Sequence, residues 1–267
     1  MGSERQSVLV DGKTISYRAE GDRANTQIVL LHGIGGNAGQ WRHQLSELSD
    51  KFHVIAWDAP GYGGSDDPPA GWEMADYARA LAGFLDALGI ERAHIVGQSW
   101  GGVLAQEFYR LHADRFMTLT LSDTYAAGAQ DADERDASLR ARLEALDTMT
   151  PAEMAAARVA AVLGPNPPAD VRAEVESMLT EIHPSGYRVA AIALAHAETR
   201  DVLAGMSVPT LIITGEHDRI VPPSAGEWLR DRISGARLVT ISGVGHLAGQ
   251  ERSGEYTATL RAFLTES

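Results

Sequence analysis

A serine, an acid and a histidine that could share one proton path each follow an apolar stretch of this chain. The serine is Ser99, in Gly97-Gln98-Ser99-Trp100-Gly101, a G-x-S-x-G pentapeptide. Arg92 to Val96 (RAHIV) before it reads as a strand, and Val103 to Leu111 (VLAQEFYRL) after it carries apolar residues at helical spacing. A serine on so tight a strand-to-helix turn needs flanking glycines, because neighbouring β-carbons would collide with backbone. The turn sets the hydroxyl at a helix N-terminus, where backbone N–H groups stabilise negative charge. Such a hydroxyl is a nucleophile only when a base takes its proton and a carboxylate orients that base.

Of nine histidines, His43, His53, His94, His112, His183 and His196 fall in predicted helices, strands or cap segments without a partner motif. His246 differs. It lies in the glycine-rich turn Ser242-Gly-Val-Gly-His246-Leu-Ala-Gly, directly after the apolar run Arg237 to Ile241. Loops at the C-terminal ends of parallel strands are where an open α/β sheet presents its site. The acid is Asp218, which closes Gly215-Glu216-His217-Asp218 after the buried-strand run Val208 to Thr214 (VPTLIIT). Asp123, after the strand Met117 to Ser122, competes for the role. The chain order serine, late acid, histidine favours Asp218. Earlier, Gln27 to Leu31 (QIVLL) runs into His32-Gly33-Ile34-Gly35-Gly36, whose glycines let a backbone N–H turn toward a developing oxyanion. The N–H groups of Ile34 and Trp100 are the expected oxyanion hole, with His32 shaping the loop.

These segments carry a resemblance. LLHGIGG (30–36), WDAPGYGGSD (57–66), VGQSWGG (96–102), TGEHDRIVPP (214–223) and GVGHLAGQE (243–251) stand in the order found in α/β hydrolases. The stretch 178–218 resembles the 3-oxoadipate enol-lactonase branch. The resemblance implies an α/β-hydrolase fold: a mostly parallel eight-stranded sheet flanked by helices, with a helical cap inserted after the sixth strand. It implies a serine hydrolase of small esters or lactones that needs no cofactor. Ser99 in place of an aspartate argues against the haloalkane dehalogenase and epoxide hydrolase branches. Related enzymes with the same residues cleave C–C bonds in ring-fission products. A slow-turnover ligand receptor that keeps the three residues is a further alternative.

The elements that must position these residues alternate. Two strands, 7–10 and 14–18, join through the hairpin signal Asp11-Gly12. From Gln27 onward apolar strands alternate with helices, the pattern of a parallel sheet covered on both faces. The alternation breaks between Thr124 and Ala197, which is Ala-rich and punctuated by Thr150-Pro151, Gly164-Pro165, Pro167-Pro168 and His183-Pro184. Proline starts helices and stops preceding ones, so about four short helices are expected there. The expected division is a core of residues 1–123 and 198–267 and a cap of residues 124–197. Ile34, Trp100, Tyr125, Met149 and Leu247 are the expected substrate contacts, Trp100 bounding an acyl pocket beneath the cap. The cap arginines Arg135, Arg158 and Arg188 read as solvated, or else one of them binds a substrate carboxylate; the sequence does not choose.

The chain has no cysteine, which excludes disulfides and cysteine-bound zinc, and no metal site is expected. A formal net charge of −13 disfavours nucleic acid, whose phosphates need basic surface. The polar start MGSERQSVLV lacks a signal-peptide core, and no run approaches the ~18 apolar residues of a membrane span. A cytoplasmic protein acting on a small molecule, away from membranes, is expected, with room for a homo-oligomer.

Overall fold

The computed structural model describes residues 3–128 and 132–266. Its strands are β1 (Arg5–Val10), β2 (Lys13–Glu20), β3 (Gln27–Leu31), β4 (His53–Trp57), β5 (Ala93–Gln98), β6 (Phe116–Ser122), β7 (Thr210–Gly215) and β8 (Arg237–Ile241). They form one sheet in the order β1-β2-β4-β3-β5-β6-β7-β8. β1 and β2 are an antiparallel hairpin, and β2 runs antiparallel to β4. The other pairings, from β4 across to β8, are parallel. Asp11 (φ 49°) and Gly12 (φ 77°) both adopt the left-handed region, as the two central residues of a tight hairpin turn require.

The chain leaves β3 toward β4 on one side and returns to β5 on the other. That reversal opens a crevice at the C-terminal ends of β3 and β5, where ligands bind in open α/β sheets. Both faces of the sheet are covered, which is why QIVLL is apolar without a break. Ile28 and Leu30 join one buried cluster, and Val29 and Leu31 join the other. On the first face lie α1 (Arg42–Leu48), Tyr256 and Leu260. The second carries α2 (Met74–Ala87) and α3 (Trp100–His112), packing Leu81, Phe84, Val103 and Phe108 against it.

Between β6 and β7 the described residues form four α-helices, α4 (Ala132–Thr148), α5 (Pro151–Val162), α6 (Ala169–Thr180) and α7 (Pro184–Ala195), followed by a short 3-10 turn at Arg200–Gly205. Prolines open α5 and α7, and α5 adds a capping box between Thr150 and Glu153. This insertion shares the second core through Val159, Val162, Leu179 and Tyr187. It also rests on the loop after β4 by direct backbone contact, since a Cβ on Gly186 would stand 2.2 Å from the Gly61 carbonyl oxygen. After β7 come α8 (Pro223–Arg230), α9 (Ala248–Glu251) and α10 (Ser253–Glu266). Among the described residues no helix is long and apolar enough to cross a membrane.

Candidate active site

Ser99 is the single residue between β5 and α3, with φ 53° and ψ −118°. A non-glycine residue in that region costs on the order of 1–3 kcal/mol and persists only where its surroundings over-determine it. Here they do. The Ser99 N–H donates to the Ser122 carbonyl at 2.9 Å, and its own carbonyl accepts from Gly102 N (2.9 Å), Val103 N (3.1 Å) and Thr124 Oγ1 (2.7 Å). The flanking glycines are needed for space: a Cβ on Gly97 would lie 2.3 Å from the Gly101 oxygen, and one on Gly101 2.4 Å from the Leu31 oxygen.

His246 and Asp218 meet this serine. Ser99 Oγ lies 2.9 Å from His246 Nε2, and His246 Nδ1 lies 2.7 Å from Asp218 Oδ2. The second carboxylate oxygen of Asp218 accepts from Ile220 N (2.8 Å) and Val221 N (2.9 Å), fixing its orientation. All three side chains are buried. Asp123 is close by but engaged elsewhere. Its Oδ1 accepts the Gly215 N–H at 2.8 Å, and its Oδ2 accepts from Ser122 Oγ at 3.0 Å. Burial, then the charge of Asp218, holds the Asp123 carboxyl well above the usual carboxylate range.

The loop after β3 is a tight turn. Gly36 N donates to the Gly33 oxygen at 2.9 Å, and Gly35 takes φ 82°. Ile34 sits at its corner, and its N–H makes no hydrogen bond among the described residues. Trp100 N–H opens α3 and has no intrahelical acceptor. His32 organises the loop: Nε2 accepts the Ala59 N–H at 3.1 Å, so the proton sits on Nδ1, which donates to the Gly33 oxygen at 2.8 Å. Burial lowers its pKa and keeps it neutral.

Above Ser99 lies a cavity of about 330 Å³ between the sheet and the insertion. Ile34 and Tyr125 line it as expected, and Leu247 lines a narrow cleft that also touches Ser99 and His246. Two expected contacts are corrected. The Trp100 side chain is 0% exposed and packs with His32, Tyr62 and Tyr77 at ring-centroid distances of 6.1, 6.1 and 5.0 Å. At the first position of α3 it points down into the core between β3 and α2, so it does not bound the cavity. Met149 follows the last turn of α4, at the junction with α5, and does not line the cavity either. Arg188 pairs with Asp147 away from the cavity, whereas Arg135, paired with Asp136, and Arg158 both line the cavity, together with Arg142, which the sequence did not single out.

Other residues missed in the sequence connect the parts. Gln98 Nε2 donates to the His246 carbonyl at 2.9 Å, and its Oε1 accepts from Gln40 Nε2 at 3.2 Å. The end of α5 is tied to both late loops. The His246 N–H donates to the Val162 oxygen (2.7 Å), and Arg219, next to Asp218, donates to the Ala160 oxygen (2.6 Å). Glu251 accepts from Gly164 N and Gly245 N, each at 2.8 Å. Its place five residues after His246 in GVGHLAGQE was the one available clue, and glutamate there also reads as an ordinary exposed helix residue. Among the described residues no group of three or more His, Asp or Glu side chains could hold a metal ion.

A family model described as the alpha/beta hydrolase fold matches residues 26–252. The chain is a member of the α/β-hydrolase family. 3-Oxoadipate enol-lactonase 1 of Acinetobacter baylyi is 28% identical over 98% of this α/β hydrolase and 98% of its own length. Epoxide hydrolase A of Mycobacterium tuberculosis is 30% identical, with 96% of each chain covered. Among solved structures, a thermophilic esterase from Thermogutta terrifontis with malate bound matches at TM-score 0.90 and 27% identity, over 99% of both chains. The resemblance carried by the five sequence segments, to the family and to the enol-lactonases within it, is borne out.

Proposed function

We propose that this α/β hydrolase cleaves a small carboxylic ester or lactone through an acyl-enzyme on Ser99. The observation that carries the reading is the unbroken chain from Ser99 Oγ to His246 Nε2 (2.9 Å) and from His246 Nδ1 to Asp218 (2.7 Å). Asp218 is an acceptor, so it holds the proton on Nδ1 and leaves the Nε2 lone pair for the serine. Ser99 Oγ attacks the carbonyl carbon as its proton passes to Nε2. The N–H groups of Ile34 and Trp100 stabilise the oxyanion, each such donor being worth ~2.7–4 kcal/mol in comparable sites. The imidazolium then protonates the leaving alkoxide, and water, activated by the same nitrogen, releases the acid. No cofactor enters these steps.

Residues 1–123 and 198–267 act as the core that holds these groups, and 124–197 as a cap that closes the cavity over them. A serine at the elbow supports acyl transfer over epoxide opening, although one relative bears an epoxide hydrolase name. The enol-lactonase and esterase relatives support the ester and lactone class. A panel of p-nitrophenyl esters, lactones and ring-fission diketones tests the reading. Multiple turnovers on esters or lactones are expected. Turnover of the diketones alone would point to C–C cleavage, and a single stoichiometric acylation would point to a receptor.

A further inference from the structure

Two buried glutamine amides join the three loops that meet at Ser99. Gln98 stands at the second position of the G-x-S-x-G turn, and Gln40 lies in the short 3-10 turn Ala38–Trp41 that follows the glycine loop after β3. Gly33 N donates to Gln40 Oε1 at 3.4 Å, Gln40 Nε2 donates to Gln98 Oε1 at 3.2 Å, and Gln98 Nε2 donates to the His246 carbonyl at 2.9 Å. Gln98 is one residue from the nucleophile, and Gly33 is one residue from Ile34. This row of bonds therefore ties the nucleophile turn to the oxyanion loop and to the loop carrying His246. Both side chains are buried, and both wall the narrow cleft that Ser99 and His246 share.

The polarity of the row is fixed at both ends. A backbone N–H can only donate and a backbone carbonyl can only accept, so each amide has one orientation that satisfies its neighbours. Turning Gln98 over would set its oxygen against the His246 carbonyl and its nitrogen against Gln40 Nε2. The space is fixed as well. A Cβ on Gly33 would stand 2.2 Å from Gln98 Oε1, and one on Gly36 2.6 Å from Gln40 Oε1. Glycine at those two places lets the oxyanion loop lie directly on the amides. Buried amides are costly unless their hydrogen bonds are met, and apolar side chains would fill the same volume without that demand. What the amides add is direction and distance between loops that must hold their groups to about 0.5 Å.

We infer that Gln40 and Gln98 are positioning residues that set the spacing between the oxyanion donor, Ile34 N–H, and the base, His246, across the carbonyl that Ser99 attacks; this rests on the acyl-enzyme reading above. They act through Gly33 and His246 rather than on the substrate. The oxyanion and the imidazolium form together in one transition state. Fixing the distance between their partners therefore raises kcat without tightening ground-state binding.

Steady-state kinetics on p-nitrophenyl acetate, alongside melting temperatures, test this in Gln98→Leu, Gln40→Leu, the double variant and Gln98→Glu. Gln98→Leu should lower kcat about 10²-fold, with KM within about twofold of wild type. The double variant should lose no more than the worse single one, since either change breaks the same row. Gln98→Glu is isosteric, so it decides the matter even where the leucine variants do not fold. When protonated, the introduced carboxyl donates to the His246 carbonyl and accepts from Gln40; when ionised, it can only accept. The ratio of its kcat to that of wild type should therefore fall about tenfold or more between pH 5.5 and 8.5, a change that lost packing does not produce. A ratio independent of pH, a loss confined to KM, or additive losses in the double variant would overturn the inference. If the wild-type protein turns over no ester, the acyl-enzyme reading fails and proton NMR still decides the positioning. The low-field Nδ1–H resonance of His246 should then move in Gln98→Leu and return toward its wild-type position in Gln98→Glu at pH 5.5. An unmoved resonance would overturn it.

Discussion

Asp123 and Asp218 follow neighbouring strands, β6 and β7, yet only Asp218 meets His246, at 2.7 Å. Asp123 instead accepts the Gly215 N–H and so anchors the end of the strand that carries Asp218. Under the proposed mechanism the two acids therefore divide into one that orients the base and one that orients the acid's own loop.

That division predicts different mutational responses. Asp218→Asn should lower kcat by about 10⁴, the scale seen when a triad loses control of its histidine tautomer. Asp123→Asn keeps the oxygen that accepts from Gly215 and resembles the protonated carboxyl that burial favours, so it should cost far less. Ester turnover by the two variants, alongside their melting temperatures, checks this. A larger loss for Asp123→Asn at unchanged stability would reverse the assignment.

Trp100→Ala should act on stability. Removing a fully buried indole from its contacts with His32, Tyr62 and Tyr77 should cost ~3–5 kcal/mol, the range for large-to-small aromatic changes. The acyl-length profile should respond instead to Leu194→Ala, because Leu194 lines the cavity. Urea melts and kcat/KM across an acyl series decide it. A Trp100→Ala protein of normal stability that prefers longer acyl chains would contradict this placement.

Glu251 predicts a coupling between the insertion and the loop carrying His246, the proposed base. Glu251→Ala leaves the N–H groups of Gly164 and Gly245 without their acceptor, at about 1–3 kcal/mol for each buried donor. Gly245 precedes His246, so the base should also be misplaced. A displacement near 1 Å can cost roughly 10²-fold in rate. The fall should appear in kcat more than in KM, with partial recovery in Glu251→Gln, which retains one acceptor. Equal losses in both variants, or a change confined to KM, would count against the coupling.

The elements were legible where periodicity and punctuation agreed. QIVLL and RLVTI gave β3 and β8 to the residue, and the prolines at 151 and 184 marked the starts of α5 and α7. The grouping of Ser99, Asp218 and His246 was legible because each follows a parallel strand, and such strands end on the same side of the sheet. The direction of a side chain at a helix start was not. Trp100 adjoins Ser99 in sequence, but its side chain packs into the core against His32, Tyr62 and Tyr77, and no local pattern encodes that. Arg142 and Glu251 were invisible for a related reason: on their own helices each reads as a solvated charge, and only the packing of the insertion shows what they face.

Acid should weaken the fold through buried imidazoles. Burial lowers the His94 pKa from 6.5 to about 4, and lowers that of His32 as well. Both are neutral in the folded protein, while the unfolded chain binds their protons below pH 6.5. The His94 contribution is therefore complete above 6.5 and is lost as pH falls toward about 4, and the His32 contribution is lost in the same direction. Asp123 has the opposite sign: its raised pKa gives a contribution present at low pH and lost on ionisation. His94→Gln should flatten the decline in urea midpoint between pH 6.5 and 4. An unchanged slope would show that His94 does not titrate in this way.

The central claim is a covalent bond between Ser99 Oγ and the acyl group. Rapid mixing with a p-nitrophenyl ester, acid quenching and peptide mass spectrometry measure it directly. The account predicts a p-nitrophenolate burst, an acyl adduct on the peptide containing Ser99, and loss of both in Ser99→Ala. Full turnover by Ser99→Ala, or an adduct on any other residue, would contradict it.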